Sequence, residues 1–276
     1  MRNLIIGVGL GYNEDLGAQL CAIRRVGWDG VFTGWDENNG LVEHARLIRE
    51  QGLQYHSVHA PFNRIECIWE GSPQGDDEVQ RLIRCISDCA DVGVPLVVMH
   101  AIKGMDKCTP SPIGIERFAK ILAAAERCKV NVALENTEGE VYLESIFKEL
   151  GDSKSLRFCI DTGHEMCYNF SADLITKYGN YLISTHLNDN LGITGEGITW
   201  LDDAHLMPFD GVADWQGIAD RLAAVNYKGE LTFELTRKNK PGRTVNDRYA
   251  ELDLEGFLAA ALERARRFRG MLELNT

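Results

Sequence analysis

The sequence predicts a closed (β/α)8 barrel, an α/β fold. Three observations carry that expectation. Apolar runs of strand length alternate eight times with segments of helical periodicity, which implies a parallel sheet with crossover helices. A chain of 276 residues suits one such barrel, for which about 250 residues is typical. No linker rich in Ser, Gly or Pro divides the chain, so residues 1–276 read as a single domain. A doubly wound open sheet is the runner-up.

Leu4 to Val8 reads as the first strand, and a helix follows from about Asn13 to Val26, stopped at Gly27. Gly30 to Phe32 is the second strand, with a helix from Leu41 to Gln51 ended by Gly52. The third strand, Gln54 to His59, is broken by Pro61. A polar loop from Asn63 to Gly75 then leads to an amphipathic helix, Asp76 to Val92, with Val79, Leu82, Ile83 and Ile86 at helical spacing. Leu96 to His100 and Val130 to Leu134 are strands four and five, with helices at Ile113 to Cys128 and Val141 to Leu150. Strand six, Leu156 to Ile160, precedes a helix near Ala172 to Tyr178. Strand seven, Tyr181 to Leu187, opens a Gly- and Asp-rich loop from Asn188 to Asp214. A helix from Trp215 to Val225, strand eight (Leu231 to Leu235) and a closing helix, about Leu254 to Leu272, complete the pattern.

The net charge of -12 argues against a nucleic-acid partner, since an acidic surface repels phosphate backbones. Eight cysteines (21, 67, 85, 89, 108, 128, 159 and 167) lack CxxC pairs or a regular framework. They read as reduced thiols, and a cytoplasmic location is expected. The N-terminal apolar run is too short for a signal peptide, and no run approaches the ~18 residues that would span a membrane.

The chemistry is centred on Cys159-Ile160-Asp161-Thr162-Gly163-His164-Glu165, where a buried run ends in a carboxylate with an imidazole three residues on. In a closed barrel the C-terminal strand ends converge on one face. Those ends read His59, His100, Glu135, Asp161, His186 and Glu234. Alternation puts Tyr55, Ser57 and His59 on one strand face, and likewise Leu96, Val98 and His100. The pairs Ala133/Glu135, Cys159/Asp161, Ser184/His186 and Thr232/Glu234 follow the same rule. His164, Asp203 and His205 stand beside them, the last two aligned if their loop is extended. A lone strand-end histidine is more often structural. The joint pattern calls for a divalent cation, because uncompensated buried carboxylates are costly. His44, on a helix face, and His56, with outward parity, are read as structural.

Seven segments together resemble a known family: Ser57-Val58-His59-Ala60-Pro61, Val98-Met99-His100, Leu134-Glu135-Asn136-Thr137, Asp161-Thr162-Gly163-His164, His186-Leu187-Asn188-Asp189-Asn190, Asp203-Ala204-His205 and Thr232-Phe233-Glu234-Leu235. In this order they resemble the xylose isomerase-like TIM barrel superfamily, which holds the sugar phosphate isomerases/epimerases and the apurinic-site endonuclease IV proteins. In the epimerase branch the resemblance implies one divalent cation, often Mn²⁺, at Glu135, Asp161, His186 and Glu234. In the endonuclease branch it implies three zinc ions on all nine residues: His59, His100, Glu135, Asp161, His164, His186, Asp203, His205 and Glu234. The cofactor expectation is therefore one to three divalent ions, Mn or Zn.

The acidic charge favours the epimerase branch. The leading expectation is isomerisation or epimerisation of a small sugar or sugar phosphate through an enediolate, with Glu135 and Glu234 removing and returning the proton and His164 assisting. The basic cluster Arg237, Lys238, Lys240 and Arg243 is a candidate phosphate holder, and Trp35, Phe62 and Trp69 are candidate sugar-stacking rings. Trp200 and Phe209 are placed to shield the site from water. The alternative is a multinuclear zinc hydrolase of a small phosphoester. A third reading is a non-catalytic sugar-binding barrel. Gly7-Val8-Gly9-Leu10-Gly11 lacks the spacing of a dinucleotide fingerprint and reads as a loose first loop. Homo-oligomerisation is left open.

Overall fold

The computed structural model describes residues 1–38, 40–104, 109–193, 195 and 200–274. Along the chain run β1 (Leu4–Gly7), α1 (Leu16–Val26), β2 (Gly30–Gly34), α2 (Gly40–Glu50), β3 (Gln54–His59), α3 (Pro73–Val92), β4 (Leu96–His100), α4 (Pro112–Cys128) and β5 (Asn131–Glu135). Then come α5 (Glu140–Leu150), β6 (Leu156–Asp161), α6 (Thr162–Cys167), α7 (Leu174–Tyr178), β7 (Leu182–His186), α8 (Trp215–Ala224), β8 (Leu231–Phe233) and α9 (Leu254–Leu274). The strands pair in parallel in the order β7-β6-β5-β4-β3-β2-β1-β8. A parallel bridge between Leu187 and Phe233 joins β7 to β8 and completes the ring. The fold is a TIM barrel.

Helix starts differ from expectation where a cap decides them. Asp15 accepts a hydrogen bond from the Ala18 amide, so α1 begins at Leu16 rather than Asn13. Pro73 sits in the first turn of α3, which starts three residues earlier than expected, and Ile65–Trp69 in the preceding loop form a 3₁₀ turn. Arg117, almost fully buried, secures that turn by donating to the carbonyl oxygens of Ile68, Glu70 and Ser72. His164 lies in a short helix that the sequence pattern did not predict, α6, capped by Asp161, which accepts from the His164 amide at 2.7 Å.

Alternation along β3 fails at one point. Val31 is level with Tyr55 and Phe32 with Ser57, so His56 is an extra residue in a β-bulge. Tyr55 therefore faces outward and hydrogen-bonds Thr33 at 2.5 Å, against expectation. His56 faces inward, with Glu230 at 4.0 Å and Ser57 at 2.9 Å, so its outward parity is corrected. The other expected inner faces hold. Leu96, Val98, Ala133 and Cys159, with Ile183, form the core inside the barrel, and a larger cluster packs the strands against the helices.

All seven cysteines among the described residues are free thiols. Cys108 lies outside the described residues. Among those described, no helix is long and apolar enough to cross a membrane.

Candidate metal centre

The barrel brings nine expected ligands to the C-terminal end of its strands, and all but Asp161 and His186 line a cavity of about 710 Å³. Glu135, at the end of β5 and fully buried, is the hub. Its Oε2 lies 3.2 Å from His59 Nε2 and 3.0 Å from His100 Nε2. Its Oε1 lies 2.6 Å from His186 Nδ1, which is also 2.8 Å from Glu234 Oε2. Asp161 completes a group of four with Glu135, His186 and Glu234. A third group places His164 Nε2 3.4 Å and His205 Nε2 2.9 Å from Asp203 Oδ2.

The ring nitrogens show what these groups are built to hold. His59 Nδ1 lies 2.7 Å from the Ala60 carbonyl oxygen, His164 Nδ1 2.9 Å from that of Asn136, and His205 Nδ1 3.0 Å from that of Glu234. A carbonyl oxygen only accepts, so in each ring Nδ1 carries the proton. Each Nε2 then turns toward a carboxylate oxygen. A neutral ring would set lone pair against lone pair there, so only a proton or a metal cation between them is favourable. Backbone carbonyls that fix a histidine's tautomer are a common support for metal ligands. Donors bound at 2.0–2.1 Å around a tetrahedral ion lie about 3.3 Å apart, close to the spacings here. The residues fit a divalent cation.

Without an ion, protons fill that role. Burial disfavours charge on His186, but Glu135 and Glu234 outweigh it and raise its pKa well above the ordinary value. His164 behaves likewise beside Asp161 and Asp203. Burial opposes charge on His205 too, yet Asp203 raises its pKa to about 9. Glu234 is lowered to about 2, because His186 outweighs its burial. Asp161 goes the other way, raised to about 6 by burial despite His164.

Asparagines hold the centre in place. Asn136 donates to the Asp161 carbonyl at 2.9 Å and accepts from the Asp161 amide at 2.7 Å, clamping that backbone. Asn188 donates to Asp161 Oδ2 at 2.8 Å. Asn190 Oδ1 accepts from the amides of Ala204 and His205, at 2.6 and 3.1 Å. That turn leaves His205 with φ 49°, so the expected extended segment at Asp203 and His205 is instead a tight bend that still joins them.

Other expectations fare differently. Phe62 and Trp200 line the cavity, and Phe62 stacks on His100 with ring centroids 4.4 Å apart. Trp35 does not line it: its indole donates to Asp88 on α3 at 2.9 Å. Trp69 is buried in the core with its indole on the Ala101 carbonyl, and Phe209 packs on Trp215. Arg237 covers the Tyr12 ring and Lys238 is exposed beside Gly11, so neither lines the cavity. Lys240 does line it, 3.7 Å from Asp203. Tyr168, Lys103, Glu66 and Glu138 also line it and were missed. Tyr168 was findable: it stands four residues after His164, hence on the same helix face had α6 been foreseen.

Residues 20–257 match the family described as the xylose isomerase-like TIM barrel. The chain belongs to that family. Within the family's fold, it is 27% identical to the uncharacterized protein y4fM of Sinorhizobium fredii, over 92% of this chain and 93% of that one. It is 30% identical to the probable endonuclease 4 of Nitrosopumilus maritimus, over 47% of this chain and 48% of that one. The solved structure of an L-ribulose 3-epimerase superposes with a TM-score of 0.73 at 17% identity, covering 100% of this xylose isomerase-like chain and 96% of the epimerase.

Proposed function

We propose that the protein is a divalent-metal-dependent isomerase or epimerase of a small sugar or sugar phosphate. The observation that carries this reading is the convergence of Glu135 and Glu234 on one atom, His186 Nδ1, at 2.6 and 2.8 Å, within a four-ligand group. Two carboxylates held around one centre suit removal of a carbon-bound proton on one face and its return on the other. Membership of the family and the fold shared with a ribulose epimerase support it. So do the cavity's small-molecule size and the Phe62 and Trp200 rings on its wall.

Glu135, Asp161, His186 and Glu234 would hold the cation. When bound, it supplies Lewis acidity to a substrate oxygen and stabilises the enediolate charge. Glu234, less buried than Glu135, takes the proton. Glu135 lies deeper and serves the opposite face. His164, fixed by the Asn136 carbonyl, presents Nε2 to the substrate oxygens. Lys240 reaches over from the chain after β8 to hold a polar or anionic end, and Trp200 covers a ring face.

A second reading, multinuclear zinc hydrolysis of a small phosphoester, is favoured by one observation. Glu135 turns its second oxygen to His59 and His100, while His164, Asp203 and His205 form a group of their own. Metal analysis separates the two readings: one ion per chain supports isomerisation, two or three zinc ions hydrolysis. Incubating candidate sugars with the enzyme in D₂O tests the first reading directly. Deuterium enters the substrate carbon with wild type, and Glu135→Gln and Glu234→Gln each slow entry by about 10²-fold or more. Full exchange in both variants would sink it.

A further inference from the structure

Below the candidate centre lies a second set of polar atoms that the reaction does not use. The Nε2 of His186 and the Oγ1 of Thr232 are buried and have no protein hydrogen-bonding partner, and the Oγ of Ser184 has the weak Cys159 thiol beside it. All three residues are fully buried. Ser184 and His186 share the inward face of β7. The bridge between Leu187 and Phe233 sets His186 level with Thr232 on β8, so those side chains are lateral neighbours facing the barrel interior. Around them the inner wall mixes small side chains, Ala133, Cys159 and Ser57, with larger apolar ones, Ile5 beside Thr232 and Ile183 beside Ser184. The Phe32 ring stacks on His186, with centroids 4.8 Å apart and planes at 15°, and blocks one ring face.

His186 presents Nδ1 to Glu135 and Glu234, so as a metal ligand it must carry its proton on Nε2. A buried N–H needs an acceptor. Cys159 Sγ lies near the ring but accepts only weakly, so the stronger acceptors on this inner wall are the hydroxyls of Ser184 and Thr232. A hydroxyl both accepts and donates, and a buried water takes two to four polar partners, a number that these three residues can supply.

We propose that Thr232 and Ser184 are positioning residues for the metal centre: through one ordered water they take up the His186 Nε2 proton and so commit Nδ1 to the cation. This rests on the metal-dependent reading above, and the experiment keeps the two apart. Zn²⁺ alone is titrated into apoprotein of wild type, Thr232→Val, Thr232→Ser and Ser184→Ala in competition with a chromophoric chelator, and the melting temperature of each apoprotein is recorded. Valine keeps the shape of threonine and loses only the hydroxyl.

The expected result is a zinc dissociation constant about tenfold or more higher in Thr232→Val and Ser184→Ala, the size of effect seen when support behind a ligand is removed. Thr232→Ser, which restores the hydroxyl, binds as wild type does. A merely structural role would move the melting temperatures of the apoproteins and leave zinc affinity alone. The proposal is overturned if Thr232→Val and Ser184→Ala both bind zinc as tightly as wild type. A Thr232→Val apoprotein that melts higher, with unchanged affinity, would show that the hydroxyl has no partner. Wild type that binds no zinc would overturn the metal-dependent reading itself.

Discussion

Asn136 shows how much a single amide supports. Its side chain holds both the N–H and the C=O of Asp161, and its own carbonyl fixes the His164 tautomer. Asn136→Ala frees two buried backbone groups, and each buried unpaired group costs about 1–3 kcal/mol. Denaturant unfolding is expected to show a loss in that range or above, with metal affinity lowered about tenfold. A variant that unfolds and binds as wild type does would remove the clamp from the account. That the nine candidate ligands meet was legible in the sequence, because six end apolar runs that strand alternation turns one way and His164, Asp203 and His205 sit in the adjoining loop motifs. The supporting asparagines had no such signal. An amide that bridges to backbone twenty-five residues away declares itself only when β5 and β6 are side by side. Arg237 and Lys238 misled for a similar reason: a basic cluster gives charge but not direction, and only Lys240 turns inward.

At the scale of elements, close approach decides more than periodicity. α4 lies so near the 3₁₀ turn that a Cβ on Gly114 would sit 2.1 Å from the Trp69 ring. Gly114→Ala is therefore expected to destabilise the fold by about 1–3 kcal/mol through overpacking, read as a lower denaturant midpoint. Metal stoichiometry should be retained, because neither residue touches the centre. The order of the eight strands and the longer helices was legible, since each run had the length and period of its type, whereas short α6 and the 3₁₀ turn at Ile65–Trp69 were not. The bulge at His56 was not. Alternation assumes one residue per step, and nothing in Gln54-Tyr55-His56-Ser57 marks the extra one. The slip matters less than it could, because Val58 and His59 regain register with β2 and β4.

For the whole molecule, the buried charges predict a pH dependence with a definite sign. His205 is raised from 6.5 to about 9, so its contribution to stability is complete below 6.5 and lost as pH rises through 9. His164 and His186 are raised as well and act in the same direction. Asp161, raised to about 6, adds a cost as it ionises between about 4 and 6. The apoprotein's melting temperature is thus expected to fall between pH 6.5 and 9. With a divalent ion bound, the proton sites are taken and the fall should vanish. A flat apoprotein profile would mean that the histidines are not charged in the fold.

One consequence follows from how the ring of strands is closed. Seven neighbouring pairs are laced by registered residues, but β7 and β8 meet at a single bridge. His186 and Glu234 face each other across that weak seam. An ion gripped by both, as proposed above, would work as a clasp on a hoop: the group that supplies the Lewis acidity would also keep the barrel from springing open. Amide exchange at Leu187 and Glu234, whose N–H groups stitch the seam, should slow on metal loading far more than exchange between β4 and β5.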